Sequence, residues 1–304
     1  RGLGDVYKRQ GSGPSGLASA YAAAKNGARV ILAEDKPRFG GSLLTSDVNI
    51  GNQTGVEWTE KIIAELKSMP NVTVKNRSQV FGYYDHNMLV MSERISDHLP
   101  KTQKYLPKQR LWYIRANEVL ISSGSIERPL VFGNNDTPGV MLSSAAKEYM
   151  KVYGVLVGKK PLIFTNNDSG YETAIEFKKN GVNPIILDTR SNPSSDIITE
   201  AKNLNIEIKF SYVVVAAKGY KKVKSADIAK ISDDKKELFN IENIECDCIC
   251  VSGFWTPSIH LASQSGNKSK FNEKIDAFVP DKSKQQENTI CLLYTSPSPR
   301  DHQP

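Results

Sequence analysis

Residues 11–35 read GSGPSGLASAYAAAKNGARVILAED, and how this stretch is parsed decides the fold. Gly11, Gly13 and Gly16 stand in the spacing G-x-G-x-x-G. Alanine-rich Leu17–Lys25 predicts a helix, Asn26-Gly27 closes it, and ARVILAED predicts a strand. Such a glycine pattern recurs by chance in loops. Here a helix follows directly, a strand follows the helix, and an acid, Glu34, lies 23 residues past the first glycine. Gly11 permits the tight turn, Gly13 brings the backbone to a pyrophosphate, and Gly16 lets the helix pack on the strand. The amides of Ser15 and Gly16 then face the phosphates. Glu34 is placed to accept the adenosine ribose hydroxyls, with Asp35 or Lys36 beside it, and an acid there favours NAD or FAD over NADP. The alternative is a merely structural turn.

A dinucleotide turn projects from the end of a buried strand, yet Gly11 follows DVYKRQ, which is half charged. The other terminus explains this. Arg1–Gln10 and Cys291–Asp301 can be back-translated into DNA that is reverse-complementary over nearly its whole length, and that DNA resembles the transposon end used to fragment DNA for sequencing. Residues 1–10 and 291–304 are therefore read as translated adaptor, with the first strand of the fold truncated. Val6 and Tyr7 are good strand formers and able to fill the missing place.

The composition, 39% hydrophobic and 24% charged, is that of an ordinary globular protein, and no run approaches the about 18 apolar residues of a membrane span. The net charge of +7 owes +2 to residues 1–10, and the lysines of the body are scattered. Only Lys218–Lys224 (KGYKKVK) clusters, as a solvated turn, so neither a nucleic acid nor a membrane is expected as partner. Cys246, Cys248 and Cys250 alternate and are expected on one face of a packed strand. No C-x-x-C pair or fourth ligand accompanies them, so no metal is expected, and free thiols favour the cytoplasm.

Along the chain, WTEKIIAELKSMP predicts an amphipathic helix and NVTVKN a strand. QVFGYYDHNMLVMSERI predicts a hairpin turning at Asp85-His86-Asn87. KYLPKQRLWYIRANEVLISSG predicts a second hairpin-like pair, whose last strand delivers Ser123-Gly124. A second strand–loop–helix–strand comes next in KPLIFTNNDSGYETAIEFKKNGVNPIILD. Offset by 154 residues, it sets Gly170 on Gly16, Ala174 on Ala20, Gly181 on Gly27 and Asp188 on Glu34. Thr165 and Asn167 replace Gly11 and Gly13, and Asp168 replaces Pro14. Lost glycines and an added carboxylate oppose a pyrophosphate, so the second copy is either a relic of the fold or a site for something else. CDCICVSGFW is expected to return to the first domain.

The expected fold is α/β, with two nested Rossmann-like dinucleotide-binding domains of the disulfide-reductase, FAD/NAD(P)-binding type. The first domain takes 11–135 and 241–280, the inserted one 136–240, and a linker begins at 281–290. Gly41 and Ser42 form a second small-residue loop able to continue along the nucleotide. Ser123, Gly124, Ser252 and Gly253 are short turns at strand ends, either cofactor contacts or ordinary termini. His86, His98 and His260 lack partners at telling spacing and are taken as structural or surface residues. No catalytic constellation is found.

Several longer stretches carry a resemblance: RFGGSLL, VFGYYDHN, SERISDHLP, IERPLVFGNNDTPGVM, FTNNDSGYETA and SGFWTPSIHLASQSGNKSKFNEKIDAFVP. Together with the glycine loop, and in the same order through residues 11–280, they resemble the alpha subunits of heterotetrameric sarcosine oxidases. The resemblance implies an oxidoreductase complex with beta, gamma and delta subunits. Such a complex oxidises sarcosine to glycine, passes the one-carbon unit to tetrahydrofolate and forms hydrogen peroxide. It implies NAD in this subunit, with FAD the alternative, and FMN and FAD elsewhere in the complex. By position, the nucleotide contacts it implies fall at Ser15, Glu34, Asp35, Lys36, Ser42 and Val80 and within residues 252–259. This stretch alone would then be inactive. The rival expectations are a free-standing FAD/NAD(P)-dependent reductase of the pyridine nucleotide-disulfide type and the alpha subunit of a related amine, opine or proline dehydrogenase.

Overall fold

In a computed structural model, residues 6–100, 105–281 and 288–290 are described, so the first five residues of the expected adaptor segment 1–10, and all of 291–304 with Cys291, lie outside the described residues. The chain divides into unit 1, Arg1–Ile126 with Thr256–Pro304, and unit 2, Glu127–Trp255. The second unit is inserted in the first, and the strand expected to make the last crossing falls in unit 2.

Unit 1 opens with β1 (Val6–Gln10), α1 (Pro14–Lys25) and β2 (Arg29–Ala33). Then come α2 (Gly55–Ser68), β3 (Val72–Lys75), β4 (Ser78–Tyr84), β5 (Met88–Arg94), β6 (Gln109–Arg115) and β7 (Glu118–Ile121). After unit 2 the chain returns as α6 (His260–Gln264), and β16 (Asn288–Ile290) joins the sheet. The parallel sheet runs β16-β7-β1-β2-β3. Residues 6–10 thus hold the central place ahead of the glycine loop, pairing Tyr7 with Val30 and Glu118.

One side of this sheet is packed by Leu17 and Ala20 of α1 against Val30, Leu32 and the α2 residues Ile62, Ile63 and Leu66. Helix α2 starts cleanly because Thr54 accepts the Glu57 amide while the Glu57 carboxylate accepts the Thr54 amide, a reciprocal cap. The other side carries the antiparallel meander β4-β5-β6, whose Val80, Leu89, Met91 and Ile114 pack on Ala33 and Ile121. Its first turn is the three-residue loop Asp85-His86-Asn87 between the paired Tyr84 and Met88, with His86 and Asn87 in the left-handed region at φ 56° and 50° and the Met88 amide donating to the Asp85 carbonyl at 3.3 Å. The second expected hairpin does not form: β6 pairs with β5, whereas β7 crosses to lie parallel to β1.

Unit 2 repeats the plan. It comprises β8 (Val140–Leu142), α3 (Ser143–Tyr153), β9 (Pro161–Thr165), α4 (Ser169–Lys179), β10 (Ile185–Asp188), α5 (Asp196–Asn203) and β11 (Glu207–Phe210). A meander β12 (Tyr212–Lys218), β13 (Ser225–Ile231), β14 (Leu238–Glu245) and then β15 (Cys248–Ser252) complete it. The parallel sheet runs β8-β15-β9-β10-β11. β15 is therefore the second unit's strand, corresponding to β7 of the first, and does not return to unit 1. All five of its residues are buried, which suits an interior place between β8 and β9. The chain leaves the strand pattern at Asp247, so Cys246 packs with the meander while Cys248 and Cys250 pack under the helices. The three thiols do not share a face, and burial pushes Cys246 up to about 12, an inert thiol. β14 forms the outer edge of its meander, with seven of its eight residues exposed.

Candidate nucleotide site

The glycine loop lies where the strand order of unit 1 reverses, with β2 and β3 on one side of β1 and β7 on the other. Three glycines meet three different demands there. Gly11 has φ +91°, and a Cβ on it would lie 2.1 Å from the Ser122 carbonyl oxygen. On Gly16 a Cβ would lie 1.9 Å from the Gly11 carbonyl oxygen, so α1 and the turn touch backbone to backbone. Gly13 is different: its φ of −66° suits any residue, and a Cβ there would meet nothing within 4 Å. The protein itself gives Gly13 no reason to be glycine, whereas a pyrophosphate lying against the loop does. No side chain caps the start of α1, and no acidic residue sits in its first turn, so its positive end is open to an anion.

The second small-residue loop is in place beside the first. Gly41–Leu44 forms a short 3-10 turn, and a Cβ on Gly41 would lie 2.9 Å from the Gly13 Cα. Ser42 is exposed next to it. At the end of β2, Glu34 is buried, and its Oε2 accepts the amide and the hydroxyl of Ser12 at 2.8 and 2.6 Å. Its Oε1 accepts the Lys36 amide at 3.0 Å. Burial, with the Asp35 carboxyl close by, raises the pKa of Glu34 above the usual carboxylate range. Asp35 and Lys36 are exposed. Val80 is buried among the residues packed on Ala33, so only its backbone can serve a ligand. Past β7, the Ser123 hydroxyl donates to the Ser258 carbonyl at 2.9 Å and the Ser258 amide donates to Gly124 at 3.0 Å. Gly124 needs its glycine for φ +68°, and no neighbour crowds it.

Unit 1 contains the expected residues Gly11, Gly13, Ser15, Gly16, Glu34, Asp35, Lys36, Gly41, Ser42, Val80, Ser123 and Gly124. Ser252 and Gly253 belong instead to unit 2. Ser252 is fully buried against Asn167, and a Cβ on Gly253 would lie 2.7 Å from the Arg128 carbonyl oxygen, so packing alone accounts for that glycine. Ser12 does not stand out in the sequence. Its role rests on a bond spanning 22 residues, which no local pattern signals.

Unit 2 builds the same corner and fills it with its own side chains. A Cβ on Gly170 would lie 2.7 Å from Thr165, repeating the helix–strand contact of Gly16. Asn167 Oδ1 accepts the Ser169 amide at 2.8 Å, taking a place at the helix start where a phosphate oxygen would otherwise bind. Its Nδ2 donates to the carbonyl and hydroxyl of Ser252 at 3.1 and 3.2 Å, tying the ends of β9 and β15 across the switch point. Asp188, the counterpart of Glu34, is fully buried and accepts the Tyr171 hydroxyl at 2.7 Å and Arg190 Nη2 at 2.8 Å. Arg190 also pairs with Asp168 at 2.9 Å. Burial and the Asp188 bond push the Tyr171 hydroxyl far up, so it stays a donor.

Among the described residues no group of three or more His, Cys, Asp or Glu side chains is arranged to hold a metal, and no helix is long and apolar enough to cross a membrane.

Two nested α/β units, with an open glycine-rich cradle in the first, define a two-domain dinucleotide-binding fold. The chain belongs to the pyridine nucleotide-disulphide oxidoreductase family, whose model matches residues 11–285. More particularly, it is similar to proteins named as the alpha subunits of sarcosine oxidase. The relative from Rhizobium meliloti (strain 1021) is 37% identical over 270 residues, covering 88% of this chain and 26% of the relative. That from Corynebacterium sp. (strain P-1) is 34% identical over 275 residues, covering 89% and 28%. The chain thus spans about a quarter of the length of these relatives. Among solved structures, L-proline dehydrogenase from P. horikoshii shares the fold with a TM-score of 0.66 at 19% identity, over 95% of this chain and 50% of that one. Thioredoxin reductase from T. acidophilum does so with 0.65 at 17%, over 88% and 82%.

Proposed function

We propose that this chain is the NAD-binding region of the alpha subunit of a sarcosine oxidase, working in the cytoplasm within a complex that also contains beta, gamma and delta subunits. The complex oxidises sarcosine to glycine, passes the one-carbon unit to tetrahydrofolate and forms hydrogen peroxide, with FAD and FMN held elsewhere in it. The amine and folate sites lie outside this stretch, which is inactive alone. The similarity to alpha subunits supports the choice of enzyme. The observation that carries the nucleotide reading is the open space at Gly13 beside an uncapped helix start.

A bound dinucleotide supplies hydride or electron transfer when it takes part in turnover. This chain's residues hold its ADP half. The first-turn amides of α1 would hold the pyrophosphate, with space for it at Gly13, and Glu34 Oε1 would accept a ribose hydroxyl. A free-standing reductase needs a second cradle for a pyridine nucleotide, and the filled corner of unit 2 argues against one there. A second reading, an opine- or proline-oxidising enzyme, draws on a 26% identity over 166 residues to one subunit of the opine oxidase from Agrobacterium tumefaciens (strain Ach5).

Denaturing the purified protein and identifying the released nucleotide tests the cofactor: NAD is expected, and FAD would replace it in the scheme. Expressing the full reading frame with its partner subunits and following peroxide tests the substrate. Sarcosine-dependent peroxide is expected, and turnover of proline or an opine in its place would transfer the chain to the second reading.

A further inference from the structure

Under the nucleotide reading of unit 1, on which the role proposed for Ser12 rests, one residue of the loop is left without a task. Ser12 is fully buried between Gly11 and Gly13. Its amide and hydroxyl both donate to Glu34 Oε2, at 2.8 and 2.6 Å. The same hydroxyl accepts the Gly40 amide at 3.2 Å, and the Ser12 carbonyl accepts that amide at 3.0 Å. Three segments therefore meet at one side chain: the glycine loop, the end of β2, and the second small-residue loop.

A carboxylate oxygen offers two in-plane lone pairs, so the two Ser12 donors saturate Oε2. Oε1 accepts the Lys36 amide and keeps a lone pair for a further donor. The last torsion of a glutamate is broad and nearly two-fold, so the plane of the carboxylate must be set by its partners. Deleting the Ser12 hydroxyl leaves the Ser12 and Gly40 amides with their remaining acceptors, Glu34 Oε2 and the Ser12 carbonyl, so the loops stay tied while the carboxylate loses the shortest of the three bonds that set its plane. We propose that Ser12 is a positioning residue for nucleotide specificity: its hydroxyl fixes the Glu34 carboxylate so that Oε1 meets the diol of an unmodified adenosine ribose.

The test uses the intact protein emptied of its nucleotide and titrated with ADP, which is common to NAD and FAD, and with 2′,3′-dideoxy-ADP. Wild type should prefer ADP. Ser12→Ala should weaken ADP by about tenfold while leaving dideoxy-ADP within about twofold. Equal weakening of both ligands would mean that Ser12 only shapes the loop and would overturn the proposal, as would no change in either. Wild-type protein that binds neither ligand would instead defeat the nucleotide reading itself. Should Ser12→Ala not be recovered folded, Ser12→Cys keeps a similar shape with a weak donor and should give a partial loss for ADP alone, with loss for both again counting against the assignment.

Discussion

Glycines 11, 13 and 16 look alike in sequence and differ in what they tolerate. Gly11→Ala and Gly16→Ala force a Cβ to about 2 Å from a backbone carbonyl oxygen, and each should cost more than about 3 kcal/mol of stability in urea unfolding. Gly13→Ala has neither a clash nor a strained φ. It should change stability by less than about 1 kcal/mol yet abolish nucleotide retention, because the methyl occupies the pyrophosphate's space. Nucleotide copurifying with Gly13→Ala at the wild-type ratio would remove that reading. Arg190→Ala is the converse case. It strips the buried Asp188 of its cation and should destabilise the protein by about 3 kcal/mol without altering nucleotide retention.

At the scale of elements, the starts of the helices divide the labour. α1 is left open, α4 is occupied by Asn167, and α3 is met by Glu127, whose Oε2 accepts the Ser144 amide at 2.7 Å. Glu127 is 3% exposed, and burial raises its pKa above the usual carboxylate range. The folded protein therefore holds that proton more tightly than the unfolded chain. The associated stability is present below the ordinary carboxylate pKa and is lost as pH rises through the raised folded value. Glu127→Gln keeps an acceptor for Ser144 without the charge, so its melting temperature should gain on wild type as pH rises from below the ordinary carboxylate pKa to above the raised one. A constant difference across that range would show that burial does not perturb Glu127. Helices α1, α2 and α4, the hairpin of β4 and β5, and the glycine corner were legible, because their signals are local: period, cap, turn and spacing. Sheet partnership was not. Gln109–Arg115 and Glu118–Ile121 are separated by Ala116-Asn117, a gap that reads as a tight turn, and only the parallel place beside β1 draws Glu118–Ile121 away. Likewise the apolar run at Cys248–Ser252 announces a buried strand but not which of two similar sheets receives it.

At the scale of the whole molecule, two copies of one plan have parted, one with its glycine corner open and the other satisfied by its own side chains. Adding nucleotide to the emptied protein should slow amide hydrogen exchange through residues 11–44 and leave residues 165–190 unchanged. Protection appearing in the second segment would show that unit 2 also binds. The internal repeat was visible in sequence because Gly170 and Asp188 keep their offsets. The closure was only half visible: lost glycines were plain, whereas the Asn167–Ser252 tie spans 85 residues. The outer strand β14 bears on handling. It exposes Leu238, Phe239 and Ile241 beside Glu242 and Glu245, whose carboxylates pair with Lys209 at 2.9 Å and Lys160 at 2.7 Å, so an open row of backbone donors and acceptors is flanked by ion pairs that salt screens. Concentrated salt weakens those pairs and turns the same strand into a seed for precipitation, so purification is better kept at low ionic strength.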